Sequence, residues 1–297
     1  MTVSLVTPCY NGARYLQSCI DSVVSQSRIG LEYIIVDGGS SDNSLAIIRN
    51  NELYIDRLIA EPDRGHWDAI GKGFAQSTGE IMGWVNSDDM LTPWALRAVE
   101  EIFHQFPEVL WIQGLPAVWN PAGQMVEVHY KAKSRFDYLS HHYGWIQQES
   151  CFWRRSLWEK AGGYVSDQYR FMVDGELWSR FFDHAPLVRV DCVLAGFRQH
   201  QTNRSLTSGD TPRHEMERII AAMRARAPAR DLRIARSMLW ARRLSQVWPL
   251  RQLGASSTVY PQLCRLLLGR DYTRVRYPVI RWDHQASTWR LLSEAPA

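Results

Sequence analysis

An α/β fold, with a mostly parallel Rossmann-like sheet and flanking helices, is predicted by three features of the first hundred residues. Short apolar runs alternate with stretches of helical spacing, the intervals between runs suit βαβ units, and each run ends at a polar loop rich in Asp, Asn or Gly. Alternation of this kind places crossover helices over both faces of a parallel sheet.

Val3–Thr7 is the first strand, and Asn11-Gly12 turns the chain. Leu16, Ile20, Val23 and Val24 then recur at helical spacing, and Tyr33–Val36 makes a second strand ending at Asp37. Gly38-Gly39-Ser40-Ser41-Asp42 supplies a turn and cap for a helix through Leu45, Ile47 and Ile48. A third strand lies around Arg57-Leu58-Ile59, followed by the loop Glu61-Pro62-Asp63-Arg64-Gly65 and a helix from near Trp67 to Thr78-Gly79. Glu80–Val85 is the fourth strand and stops at Asn86-Ser87-Asp88-Asp89. Beyond it, Val109–Gln113 reads as a strand and Asn120–Gly123 as a hairpin turn. A helix holding Ser156, Leu157 and Trp158 ends at Gly162-Gly163, a second spans Glu176–Phe182, and Val188–Val190 with Val193-Leu194 reads as late strands.

A chain of 297 residues has room for one large domain or two smaller ones. No stretch approaches the roughly 18 to 20 uninterrupted apolar residues of a membrane-spanning helix. The N-terminus reads directly as a strand without a basic and apolar leader, so a cytoplasmic protein is expected. Cys9, Cys19, Cys151, Cys192 and Cys264 are scattered and odd in number, which argues for reduced packing residues over a disulfide framework or a zinc site. Charge is unevenly spread. Residues 1–212 hold 18 Lys+Arg against 25 Asp+Glu, and residues 213–297 hold 16, all Arg, against 6.

Asp37, Asp63, Asp88 and Asp89 all follow predicted strands. Ligands of open α/β sheets bind outside the carboxyl ends of the strands, so these loops converge on one crevice. Neither a Gly-x-Gly-x-x-Gly fingerprint after strand one nor a phosphate loop ending in Gly-Lys-Ser/Thr is present. A bound diphosphate must then be neutralised by a hard divalent cation, which adjacent carboxylates such as Asp88 and Asp89 can hold.

At this point the chain resembles the inverting family-two glycosyltransferases, whose fold is the nucleotide-sugar-binding GT-A type. The resemblance spans Val3 to about Ser205 and rests on Thr7-Pro8-Cys9-Tyr10-Asn11, Glu32–Asp42, Glu61–Gly65 leading to Asp68-Ala69 and Gly71-Lys72-Gly73, and Gly79-Glu80 leading to Asn86-Ser87-Asp88-Asp89. It implies that Asp37 accepts a hydrogen bond from the base of the donor, that Pro8, Tyr10 and Asn11 line the same pocket, and that Asp63, Lys72, Asn86, Ser87 and Asp88 contact the nucleotide-sugar. Asp88 matches the second acid of the family's Asp-x-Asp metal motif, while Asn86 stands where the first Asp often is. Asp89 takes a supporting part toward Mn2+ or Mg2+. Asp174, in Phe171–Trp178, falls on the position of the base that removes the acceptor proton, with Glu176 as runner-up. His200, in Arg198-Gln199-His200 ahead of Asn203 and Ser205, matches the His that reaches the metal or diphosphate. Gln148 and Glu149, with Trp145, mark the acceptor side, where Trp153 and Trp178 also offer faces for a sugar to stack on.

The expected organisation is a catalytic domain over 1–212, its donor half 1–106 and acceptor half 107–212, followed by a basic, mainly helical extension over 213–297. Between Asp231 and Trp248 of that extension, Leu232, Ile234, Met238, Leu239, Leu244 and Val247 alternate with Arg233, Arg236, Arg242 and Arg243. Such a helix either lies on an anionic membrane surface or packs on the catalytic domain. The expected activity is single-sugar, inverting transfer from a UDP-linked donor to a glycan or lipid-linked acceptor, on the inner face of the cell membrane. Processive synthases carry a Gln-x-x-Arg-Trp motif that is not found here. A catalytically silent carbohydrate-binding or assembly subunit is the alternative, and a sugar nucleotidyltransferase a more distant one. A nucleic-acid role is not expected, since no recognised motif accompanies the arginines.

Overall fold

A computed structural model describes residues 1–26, 30–144, 146–204, 209–246 and 256–294. Trp145, Ser205, Val247 and Trp248 of the expectations above lie outside the described residues. The fold is the α/β arrangement the alternation predicts. Strand β1 (Val3–Cys9) is buried at every position, as a strand covered on both faces must be, and is flanked in parallel by β2 (Leu31–Asp37) and β4 (Ile81–Trp84). Strand β3 (Arg57–Ala60) continues the sheet beyond β2. The connecting helices α1 (Ala13–Val24), α2 (Ser44–Asn50) and α3 (His66–Gln76) close right-handed units whose loops emerge at one sheet edge. Register fixes that edge: Cys9 pairs with Asp37, and Asp37 with Ala60.

The second half of the sheet departs from parallel order. After β5 (Met90–Leu91) and α4 (Ala95–Gln105) comes β6 (Trp111–Gln113), and β9 (Cys151–Arg154) inserts antiparallel between β4 and β6. The hairpin β7 (Ala117–Trp119) and β8 (Met125–Val128) turns at Asn120–Gly123 as predicted. With β5 and β11 (Ala195–Arg198) it forms a second, four-stranded sheet, in the order β5-β11-β7-β8. Helices α5 (Arg135–Leu139), α6 (Arg155–Lys160) and α7 (Val173–Phe181) precede β10 (Val188–Val190).

Residues 213–297 do not stand apart from this body. Helices α8 (Thr211–Arg226), α9 (Ala229–Ser245) and α10 (Ser256–Leu268) are followed by β12 (Tyr277–Asp283) and β13 (Thr288–Glu294), and this hairpin completes the nine-stranded sheet as β13-β12-β10-β6-β9-β4-β1-β2-β3. The hairpin is hard to read from sequence because Pro278 and two arginines interrupt its alternation and its turn has no Asn-Gly or Asp-Gly pair. Here Asp283 accepts hydrogen bonds from the N–H groups of Gln285 and Ala286, and Ser287 takes φ 48°.

Trp153 and Trp178, offered above as platforms for a sugar, are core residues instead. Both are fully buried and pack with Trp84, Trp111 and Phe181 at ring-centroid separations of 5.4–5.8 Å. Contacts of this geometry add about 0.5–1.5 kcal/mol per pair beyond area burial. Trp84 of β4, Trp153 of β9 and Trp178 of α7 all belong to this cluster, so it packs the three elements together.

Candidate active site

Four loops of adjacent strands meet at the carboxyl edge. Asn11, after β1, has φ 50°, and its side-chain oxygen accepts hydrogen bonds from Ser41 N at 2.8 Å and Asp42 N at 3.3 Å, which ties the β1 loop to the β2 loop. Pro8 is buried beneath it, and Tyr10 is exposed at the rim. Asp37 is almost wholly buried. One of its carboxylate oxygens accepts from the backbone of Gly39 (3.1 Å) and Ser40 (2.9 Å), and the other, Oδ2, has no protein partner. A buried carboxylate oxygen left open is suited to accept an N–H from a nucleobase.

Asp63 crosses over the next turn. A Cβ at Gly38 would displace the Asp63 carboxylate, and Gly39 holds φ 89°, the left-handed region that favours glycine. Burial, with Asp68 and Asp37 nearby, lifts the Asp63 carboxyl above its usual range. Lys72 does not reach into the pocket. Its ammonium is taken by Glu61 at 2.8 Å, the carbonyl of Pro62 at 3.0 Å and Asp68 at 3.6 Å, so it braces the Asp63 loop from behind.

The acidic loop after β4 divides its two carboxylates. Ser87 lies against Gly12 and Cys9 of the β1 loop. Asp88 is about one-third exposed, and its Oδ2 stands 3.0 Å from His200 Nε2. Thr202 Oγ1 stands 2.9 Å from Nδ1 of that ring, so it can accept a proton carried there and leave Nε2 with a lone pair for an ion. Asp89 faces the interior. It is fully buried, with Oδ1 accepting from Arg198 N (2.7 Å) and Oδ2 from Asn86 Nδ2 (3.1 Å), so both oxygens are engaged inside the protein and away from the crevice. The expectation of Asp89 as a metal ligand is therefore corrected: the backbone bond Asp89 N to Asn86 O closes a turn that sends adjacent acids to opposite sides.

Two donors fit a divalent ion. Cis ligands about 2.1 Å from one octahedral ion stand about 3.0 Å apart, the separation found between Asp88 Oδ2 and His200 Nε2. Among the described residues no group of three or more His, Cys, Asp or Glu is placed to hold a metal. An ion carried mainly by phosphate and water, with two protein ligands, is consistent with that set.

Asn86 stands at the first position of the acidic motif but acts as a bracket. Its oxygen faces His66 Nε2 at 2.9 Å, and its amide nitrogen reaches Asp89 Oδ2 at 3.1 Å and Gln148 Oε1 at 3.2 Å. His66 was absent from the residues expected at the site. Burial lowers its pKa to about 4, so the neutral ring donates to Asn86 and fixes the amide orientation. Its place at the start of α3, right after the Asp63 loop, was the available signal.

Gln148 is buried and donates to the carbonyl of Trp84 at 2.5 Å, which places it in the floor and not on an acceptor face. Glu149 is buried beside Asp89 and within electrostatic reach of both Asp88 and Asp174. Burial lifts both Asp89 and Glu149, the latter to about 8. Asp89 accepts N–H groups on each oxygen and Glu149 Oε1 accepts none, so the proton shared by the pair rests on Glu149. Between about pH 4.5 and 8 the unfolded chain ionises this carboxyl and the folded chain does not, so wild-type stability declines with rising pH across that window. Glu149→Gln abolishes this decline: its Tm advantage over wild type, read by thermal unfolding, is expected to grow from pH 4.5 to 8 and then level off.

Asp174 is the second residue of α7. Its Oδ1 accepts Gly175 N at 2.8 Å, and burial raises its pKa to about 6. Glu176, the alternative base, is held in a bidentate ion pair with Arg180 at 2.9 and 2.8 Å. That pairing occupies both Glu176 oxygens and turns them along the helix, so of these two acids Asp174 is the one with an oxygen left open.

Residues 4–145 match the family described as Glycosyl transferase family 2. An uncharacterized glycosyltransferase of Nostoc is 37% identical over 106 residues, covering 35% of this chain and 33% of its own, so the chain spans about one third of that relative's length. Among solved structures, S. aureus TarS 1–349 in complex with UDP-GlcNAc superposes with a TM-score of 0.65 at 14% identity, over 93% of this chain and 84% of that one. Glucosyl-3-phosphoglycerate synthase of Mycobacterium tuberculosis, in complex with Mn2+, UDP and glucosyl-3-phosphoglycerate, superposes with a TM-score of 0.53 at 17% identity, over 77% and 81%. With the strand order, the acid-tipped loops and the family match taken together, residues 4–145 carry a glycosyl transferase family 2 domain and the chain has the GT-A fold.

Proposed function

We propose that the chain transfers one sugar from a nucleotide-sugar donor, UDP-linked, to a glycan or lipid-linked acceptor, with inversion and with Mn2+ or Mg2+ at the diphosphate. The observation that carries this reading is the Asp88–His200 pair, set 3.0 Å apart at the same sheet edge as the open oxygen of Asp37. The base of the donor lies against Asp37 and Asp63, and Asp88 with His200 would hold the ion. Bound there, the ion neutralises the leaving diphosphate. Asp174, ionised above pH 6, takes the proton of the attacking hydroxyl. The UDP-GlcNAc of the TarS complex and the UDP with Mn2+ of the mycobacterial complex favour a uridine donor and this ion. Incubation with a panel of nucleotide sugars is expected to release nucleoside diphosphate from one donor class with Mn2+ and not with EDTA. Equal background release with and without the ion would remove the metal from the mechanism.

A peripheral location at an anionic membrane also has a specific support. No described helix is long and apolar enough to cross a membrane. Ile234, Met238 and Ala241 of α9 pack inward with Tyr260, Cys264 and Tyr277, which leaves Arg233, Arg236, Trp240, Arg243 and Leu244 on the outer stripe. Leu266 of α10 is 77% exposed. Exposed Trp and Leu among arginines suit the headgroup region of anionic lipid. Full-length protein is expected to co-sediment with anionic but not neutral vesicles, several-fold more than Trp240→Ser/Leu266→Ser. Equal sedimentation of the two proteins rules this surface out.

A further inference from the structure

The segment that introduces the candidate base is fastened from an unexpected direction. Glu215, on α8, is buried, and its carboxylate accepts three successive backbone N–H groups: Arg170 N on Oε1, and Phe171 N and Met172 N on Oε2, all at 2.9 Å. Met172 immediately precedes α7, and Asp174 lies in that helix's first turn. Arg170, Phe171 and Met172 lead into the helix and lie outside its own hydrogen-bond ladder, and a carboxylate that collects several such N–H groups makes charge-assisted bonds that fix their direction. The contact is backed by close packing. A Cβ at Gly175 would meet the sulfur of Met216 at 3.1 Å, and Met216, Ile219, Ile220 and Met223 share one buried cluster with Val173, Leu177 and Trp178.

We propose that Glu215 is a positioning residue: through the Arg170–Met172 backbone it aims the Asp174 carboxylate at the acceptor hydroxyl. The proposal rests on Asp174 as the base. Both Glu215 oxygens are taken up by this backbone, so it acts through Asp174, and it lies beyond the residues that match the family. General-base transfer demands heavy-atom reach of about 2.6–3.2 Å, and an error of about 1 Å can cost on the order of 100-fold in rate. By this reading the C-terminal helices belong to the catalytic apparatus, because the helix that bears the base cannot hold its entry without α8.

The test is a double-mutant cycle in the full chain, with Glu215→Ala and Glu215→Gln each made in wild-type and Asp174→Asn backgrounds. Release of nucleoside diphosphate, nucleoside diphosphate affinity and Tm are measured. Glu215→Ala is expected to lower kcat about 100-fold with donor KM within about twofold of wild type. Glu215→Gln is expected near tenfold, since Gln keeps one acceptor oxygen and opposes the other N–H groups with its own. In the Asp174→Asn background, Glu215→Ala is expected to change the residual rate less than about twofold, because a residue that acts only through Asp174 has nothing left to position. Equal fold-losses in both backgrounds, or an unchanged kcat in Glu215→Gln and Glu215→Ala, would overturn the role of Glu215 while leaving Asp174 in place. An unchanged rate in Asp174→Asn alone would overturn the base assignment and this proposal with it.

Discussion

Asp174→Asn is expected to lower kcat by about 10²–10⁴-fold while nucleoside diphosphate affinity stays within about twofold of wild type. The substitution is close to isosteric and leaves an oxygen to accept the N–H of Gly175, so the local helix start survives and only the basicity is removed. Wild-type kcat is expected to rise with pH along a limb centred near 6, falling about tenfold per unit below it, because the buried carboxyl must be ionised to accept a proton. Stability runs the other way. A carboxyl whose folded pKa is raised stabilises the fold where it is protonated, and that contribution is lost as pH rises from about 4 through 6. Asp174→Asn is therefore expected to be at least as thermostable as wild type at pH 7 while nearly inactive. A joint loss of Tm and activity would mark Asp174 as a structural residue.

Asp88→Ala is expected to lower metal-dependent turnover by about 10²–10³-fold, through loss of the ion that neutralises the diphosphate. His200→Ala is expected to act in the same direction, since the two side chains share the one candidate ion. Asp89→Asn belongs to a different class. Its carboxylate accepts from Arg198 and Asn86 inside the protein, so its substitution is expected to lower Tm before it alters the metal dependence measured by Mn2+ titration. An Asp88→Ala enzyme with wild-type Mn2+ dependence would place the ion elsewhere.

The donor side of this site was legible in the sequence because strand, loop and acid recur in order. Asp37 and Asp88 each follow a run whose burial on both faces shows in its composition, Asp63 follows the exposed edge strand β3, and parallel pairing carries all three to one edge. What sequence order could not show was direction within a turn. Asp88 and Asp89 are chemically alike, and only the Asn86–Asp89 turn decides which one faces the crevice. Trp178 was misread for a related reason: with Leu177 and Phe181 it lies on the buried side of α7, and an aromatic on that side fills the core before it can stack on a ligand. Glu149 and Glu215 take their significance from partners 60 and 45 or so residues away, and local pattern carries no trace of such contacts; for His66, 20 residues from Asn86, only its place after the Asp63 loop was a signal. The β12–β13 hairpin escaped notice because its strands form the edge of the sheet, where Arg281 and Arg290 pair with Asp191 and Asp283 and leave little apolar alternation to read.

The ion at the sheet edge is the claim on which donor binding and leaving-group departure both depend. Its most direct measurement is an anomalous-scattering map from crystals grown with Mn2+ and UDP. The expected result is a single strong peak bonded to Asp88 Oδ2, with His200 Nε2 in the same coordination sphere and the diphosphate oxygens completing it. A peak bonded to Asp89, or UDP bound at Asp37 with no peak at Asp88, would contradict it.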